Sequence, residues 1–305
     1  MITTSNAAMS FILFFRRIIR HVCLALSLTS LLLLSGCSTL KLVYNQSDDL
    51  LYWWVDGYAN LQDSQKPLVR SALSELQKWH RQQQLPEYIA LLQEMRTMAP
   101  QDISAPQVCA MTEKMKTSFI GVLRHIEPAG TQLAAQLSAE QLKSIRQRYD
   151  KTNKDWRDDW LEGSDEKRMR YRYKQALNRL EDFYGSLDTP QRETLQQWLS
   201  GSHFDARISY AERERRQADS LQTLQRIAQA GSANASTQSL LRAWVDRAFQ
   251  SPNERYQAYN QTLTQDNCEG FAKLHNSTTP AQRQRLADTL RGYENDFRLL
   301  MAQKK

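Results

Sequence analysis

The feature of this chain that most constrains its fold is a helix-capping signal that recurs along the sequence. In each copy a Ser, Thr or Asp can accept hydrogen bonds from the free N–H groups at a helix start, and a Gln three residues later can bond back to the cap. Two copies also carry a hydrophobic staple, Ile103 with Val108 and Leu137 with Leu142. We therefore predict that a helix begins at each copy: Ser104-Ala-Pro-Gln107, Ser138-Ala-Glu-Gln141, Asp188-Thr-Pro-Gln191 and Thr279-Pro-Ala-Gln282.

Apolar residues at steps of three and four follow these signals, for example from Val108 to Ile126 and from Leu286 to Leu300. No stretch alternates apolar and polar residues over the length of a strand. Ten Gly and eight Pro in 305 residues leave few turns. The sequence therefore predicts an all-α fold, an irregular multi-helix bundle of roughly eight to ten helices. The capping signals have no fixed period, which argues against a regular solenoid.

The amino-terminal segment has the pattern of a targeting sequence. Arg16, Arg17 and Arg20 precede an uncharged apolar run at 22–34, which is shorter than the roughly 20 apolar residues that a membrane-spanning helix needs. The run ends Leu34-Ser35-Gly36-Cys37, which resembles the lipobox of bacterial lipoproteins. This resemblance implies cleavage before Cys37, diacylglycerol on its sulfur and a further acyl chain on its new amino group. A plain signal peptide with an incidental cysteine is the alternative.

This interpretation sets the expected organisation and location of the chain. Residues 1–36 form the cleaved signal peptide, 37–43 the lipid anchor and a short tether, and 44–305 an all-α periplasmic domain, either single or made of two packed lobes. Ser38 in place of Asp points, by resemblance to lipoprotein sorting signals, to the periplasmic face of the outer membrane. Several acyl chains on one residue satisfy the requirement of two signals for stable anchoring.

Removal of the signal peptide also changes the charge. It takes away three arginines and no acid, so the formal net charge falls from +7 to +4. A periplasmic protein meets no chromosome, and we expect no nucleic-acid partner. The basic run at 166–174 has apolar residues at helical spacing within and after it. We interpret this run as a solvated helix face, with a site for phosphate or lipopolysaccharide as the alternative.

The stretch 44–61 contains three Tyr and two Trp. Aromatic residues so close to a lipidated cysteine could form an interfacial belt on the membrane. The alternative is a first helix that packs into the core with Leu50, Leu51, Trp54 and Tyr58 inward. The stretch has three Asp and no Lys or Arg, whereas helices on membrane surfaces favour a basic polar face. We therefore expect core packing, with the membrane as the other reading.

A family resemblance rests on the same region. The lipobox, Tyr44-Asn45, Trp53-Trp54 with nearby Asp, and the stretch at 68–95 together resemble a proteobacterial outer-membrane lipoprotein family of unknown function. The similarity extends through 202–217. This resemblance implies an all-helical envelope lipoprotein with no assigned reaction, and it transfers no catalytic residues.

Catalytic and metal-binding patterns do not emerge from the sequence. The histidines beyond Cys37 lie more than forty residues apart, outside H-E-x-x-H and similar spacings, and Ser202-His203 lacks the G-x-S-x-G context. We predict no catalytic, cofactor-binding or metal-binding residues. The expected function is a non-catalytic envelope interaction or scaffold module with a protein or cell-envelope partner. The alternative is a peptidoglycan- or lipid-modifying enzyme with an unrecognised carboxylate site. The histidines are His80, His125, His203 and His275.

Two cysteines remain after Cys23 leaves with the signal peptide and Cys37 takes up lipid. In an oxidising compartment an even pair predicts a disulfide, here between Cys109 and Cys268. The bond would join a helix in the first half of the chain to a late one. Two separate buried thiols are the alternative.

Overall fold

The structure is a computed structural model that describes residues 39–303. The short helix Thr39–Asn45 belongs to a first unit that ends at Gln46, and a second compact unit begins at Ser47. The predicted signal peptide, residues 1–36, and the predicted lipidation site Cys37 lie outside the described residues. The α-helices are α1 Thr39–Asn45, α2 Ser47–Ala59, α3 Lys66–Trp79, α4 Leu85–Met98, α5 Ala105–Ala134, α6 Ala139–Trp160, α7 Asp165–Tyr184, α8 Thr189–Gly201, α9 Ala206–Ala230, α10 Ala235–Phe249, α11 Glu254–Asn276 and α12 Pro280–Ala302.

The all-α fold class is confirmed, and the described residues contain no strand. A helix begins at each of the four capping signals, where the side chain of the cap accepts the N–H of the residue three positions on. The returning bond from the Gln side chain is present in all four. Local side-chain chemistry therefore fixes where these helices start.

The glutamines of the capping signals also join one helix start to another. The side-chain amides of Gln191 and Gln282 bond to each other in both directions, at 2.8 and 2.9 Å. Gln141 pairs in the same way with Gln65, at 2.7 and 3.1 Å. Gln65, Gln141 and Gln191 are almost completely buried. Because each amide both donates and accepts, the pairs hold the start of α8 to that of α12, and the start of α3 to that of α6.

The core consists of three clusters of buried side chains. The first joins α2, α3 and α6 through Tyr52, Leu73 and Ile145. The second joins α7, α8 and α11 and includes Leu195 and Leu274, both fully buried. The third joins α5, α9 and α10 around the fully buried Ile227.

The predicted disulfide between Cys109 and Cys268 is present, with the two Cα atoms 5.5 Å apart. It joins the first turns of α5 to the later part of α11, so a late helix is held covalently against one from the first half of the chain. Cys268 is almost completely buried. No helix within residues 39–303 combines the length and hydrophobicity that crossing a bilayer requires.

Candidate functional site

The aromatic helix α2 packs into the core, but not with the face that the sequence suggested. Tyr52 and Ala59 are buried and Val55 packs beside them, whereas Leu50, Leu51 and Trp54, which we expected to point inward, are exposed. Tyr58 alone of the expected set is partly buried.

The physical reason lies in the partner helices. Tyr52 packs with Val69 and Leu73 of α3, and the guanidinium of Arg70 lies 3.8 Å from the centre of its ring. The small Ala59 lies on the same face of α2 and shares this cluster. Tyr52, Val55 and Ala59 themselves follow steps of three and four, so α2 carries two apolar stripes, and only its neighbours decide which stripe is buried.

The apolar residues that remain exposed on α2 form a surface that we call the Trp face. Trp53 is 63 % exposed and Trp54 61 %, and both leucines are at least 40 % exposed. The ring of Trp54 lies against that of Tyr58, with the ring centres 4.8 Å apart. Gly57 leaves open space on this helix. The Trp face consists of Leu50, Leu51, Trp53 and Trp54.

The acidic residues around the Trp face are compensated in part. Arg70 binds the carboxylate of Asp49 at 3.2 Å. The carboxylate of Asp56 accepts the backbone N–H of Leu61 at 2.8 Å, just beyond the end of α2. At the start of α3, the hydrogen bond from Lys66 holds the pKa of Asp63 below its usual value. Arg70 of α3 therefore supplies a positive charge to α2, which has no Lys or Arg of its own.

The histidines are in structural positions, and two of them, His80 and His125, contact the same ring, that of Trp79. His275 is buried between the hydroxyl of Tyr184 and the carbonyl of Gln101, both 2.8 Å away, and burial lowers its pKa. His203 bonds to the carboxylate of Asp266 at the surface. The ring of His125 stacks on Trp79, and burial lowers the pKa of His80. Within residues 39–303, no three His, Cys, Asp or Glu side chains are grouped to hold a metal ion.

The three buried glutamates bind arginines. Arg242 donates to both carboxylate oxygens of Glu127 at 2.7 to 3.1 Å. Glu294 of α12 accepts a hydrogen bond from Arg298, one turn further along the same helix, at 2.9 Å. Burial alone would raise the pKa of Glu212, but hydrogen bonds from Arg215, Arg216 and Ser251 lower it overall. A general acid in a hydrolase needs a raised pKa, and the contacts of Glu212 and Glu294 lower theirs.

The basic run at 166–174 is only partly a solvated face. Arg170 and Lys174 are exposed. Arg168, in contrast, donates to the carbonyls of Leu161 and Gly163, and the guanidinium of Arg172 lies 4.4 Å from the ring centre of Phe204. These two arginines bind the start of α7 to the loop that precedes it and to Phe204.

Comparison with known proteins places the chain in a family. The model of a family of unknown function (DUF6279) matches residues 57–242, which is more than half of the chain, so the protein belongs to this family. No curated protein and no solved structure matches it. All four residues of the Trp face precede the matched range, whereas the three core clusters extend into it.

Proposed function

We propose that this member of the DUF6279 family is a proteobacterial lipoprotein, acylated on Cys37 and held at the periplasmic face of the outer membrane. It acts there as a non-catalytic interaction module. The support for the location is the sequence from Arg16 to Ser38, in which a basic segment, an apolar run and a lipobox follow in the order that a lipoprotein signal requires.

The Trp face is the observation that carries the interaction role. Leu50 lies thirteen residues after Cys37, a distance of at most about 45 Å even for a fully extended chain. Trp side chains concentrate at membrane interfaces, where the ring contacts the acyl boundary and the N–H contacts the headgroups. Two Trp and two Leu are exposed on one helix, and they would supply such a contact within this distance of the lipid anchor. We propose that the Trp face lies on the bilayer that holds Cys37 and orients the helical body against it.

The non-catalytic assignment is supported by the ionisable side chains. The histidines make structural contacts, and the buried glutamates are bound by arginines. The described residues form packed helices and expose the Trp face, and both features are typical of binding and scaffold proteins.

The anchor is tested by labelling cells with radioactive palmitate. Label should appear in the mature protein of the outer-membrane fraction, and Cys37→Ala should remove both the label and the outer-membrane location. Unlabelled protein that is soluble in the periplasm would contradict the proposal. Hydrolysis of purified cell-wall fragments by the mature protein, abolished by one Asp or Glu substitution, would contradict the non-catalytic role.

The Trp face is tested separately in vesicles that contain brominated phospholipid, which quenches Trp in contact with acyl chains. Fluorescence of the lipidated protein should be quenched, and Trp53→Phe with Trp54→Phe should remove most of the quenching. The matched control is Trp156→Phe with Trp160→Phe, a pair that stacks within the protein. Equal quenching in both double variants would show that the Trp face does not touch the bilayer.

A further inference from the structure

A cavity of about 290 Å³ lies between α4, α5, α7, α11 and α12. Its lining is formed mainly by Met, Leu, Ile, Val and Phe side chains. Four of the eight methionines in the chain line it, and Met is flexible and polarizable, so such a wall can adapt to different apolar shapes. These methionines are Met95, Met98, Met111 and Met115.

The polar side chains in the lining are already satisfied within the protein. The hydroxyl of Thr112 donates to the carbonyl of Val108 at 3.0 Å. A carbonyl can only accept, so Nε2–H of His275 donates to Gln101, and Nδ1 must then accept the hydroxyl of Tyr184. The lining contains no charged side chain. A ligand inside the cavity would therefore find apolar surface and no free hydrogen-bond donor on these side chains, because the hydroxyls of Thr112 and Tyr184 can only accept further bonds.

The cavity has a closed end and an open end. Met111, Tyr184 and Leu290 are buried, whereas Met115 is 52 % exposed. The disulfide lies next to the lining, because Cys109 follows Val108 on α5 and Cys268 precedes Phe271 by one turn on α11. Two helices that line the cavity are thus joined covalently, and the bond fixes their separation at this point.

We infer that this cavity binds a hydrocarbon chain, the acyl chain of an amphiphile whose polar group stays outside near Met115. A peptide segment would bring C=O groups that need donors, and the lining side chains offer no free donor. Water is disfavoured for the same reason, since apolar cavities stay dry, and one of about 150 Å³ takes up benzene. The inference stands on the cavity alone and does not depend on acylation of Cys37.

The test is a titration of the mature protein, carrying methyl-labelled Met, with laurate below its micelle concentration. The four cavity methyl signals should shift together and saturably, while those of Met169 and Met301, which lie outside the cavity lining, serve as internal controls. Shifts spread over all six signals, or none at all, would overturn the inference. Acetyl-leucine amide should leave the four signals in place, and an equal response to it would show that the cavity selects a protein side chain instead.

A matched pair of variants provides the second measurement. Met115→Glu places a negative charge at the mouth of the cavity, where it repels the carboxylate of laurate, and should weaken laurate binding by about tenfold or more. Met301→Glu changes the same residue type at a 39 % exposed position outside the lining, and should leave the Kd unchanged. Equal affinity of both variants and the wild type would place laurate elsewhere. If Met115→Glu fails to fold, the pattern of methyl shifts in the wild-type protein still decides the question.

Discussion

Removal of the disulfide should destabilise this protein more than almost any other small change. Cys109 and Cys268 are 159 residues apart, so their bond closes a long loop in the unfolded chain. On the chain-entropy model this lowers the entropy of the unfolded state by about 17 cal/mol/K, or about 5 kcal/mol at 25 °C. Domains are stable by only about 5–15 kcal/mol, so Cys109→Ala with Cys268→Ala should remove a large part of the total.

The assay is guanidinium unfolding followed by far-ultraviolet circular dichroism. Slopes in guanidinium are roughly 2–6 kcal/mol/M, so the midpoint of the double variant should lie about 1 M or more below that of the oxidised wild type. Wild-type protein in reductant is the control and should unfold close to the variant, because both lack the loop. A variant that unfolds together with the oxidised wild type would refute the entropic argument and would mean that the unfolded chain stays compact without the bond.

Two further predictions concern packing and pH. A methyl group at Gly270 would overlap the ring of Trp198, so Gly270→Ala should lower the free energy of unfolding by about 1–3 kcal/mol. Gly57 lies in open space within a helix, so Gly57→Ala should raise the free energy of unfolding by about 0.5–1 kcal/mol. Denaturant unfolding measures both changes. Burial lowers the pKa of His275, so the unfolded state binds a proton below about pH 6.5 that the folded state does not, and stability should fall as the pH drops from 7.5 to 5.5. His275→Gln should reduce this fall, and an unchanged pH dependence would show that His275 does not contribute to it.

The helix starts could be predicted from the sequence because each depends on four adjacent residues. The cap at Ser138 and the Gln at 141 satisfy one another whatever the rest of the chain does. The disulfide was predictable for a different reason, since only two cysteines remained to pair. Neither the helix starts nor the disulfide pairing therefore required knowledge of the contacts between helices.

The pairing of Gln191 with Gln282 could not be predicted, because each amide already has a role in its own capping signal. The five-residue π-helical segment His80–Gln84 between α3 and α4 was missed as well. Pro86 lacks the N–H that would continue the α-helical bonding pattern at the start of α4. The sequence shows Pro86, but it does not show whether the helix ends before this proline or continues through a π-helical turn.

The Trp face and the apolar cavity were not predictable because both depend on which apolar residues are left without a partner. The sequence of α2 contains two apolar stripes, and Tyr52 is buried because it packs against Arg70 and Leu73 of α3. The cavity is formed by five helices from distant parts of the chain, and none of its methionines differs in sequence context from a core residue. Periodicity identifies apolar faces, but the contacts between helices decide how completely each one is filled.

The two features belong to different parts of the compact unit, and this makes their roles separable. The Trp face lies on α2, whose buried side belongs to the cluster with α3 and α6, whereas the cavity is enclosed by α4, α5, α7, α11 and α12. The residues that line the cavity include none of the members of this first cluster. Trp53→Phe with Trp54→Phe should therefore leave laurate binding unchanged, and Met115→Glu should leave quenching by brominated lipid unchanged. If either variant alters the other measurement, the membrane contact and the cavity are coupled through the helical body, and the protein responds to its apolar ligand at the membrane surface.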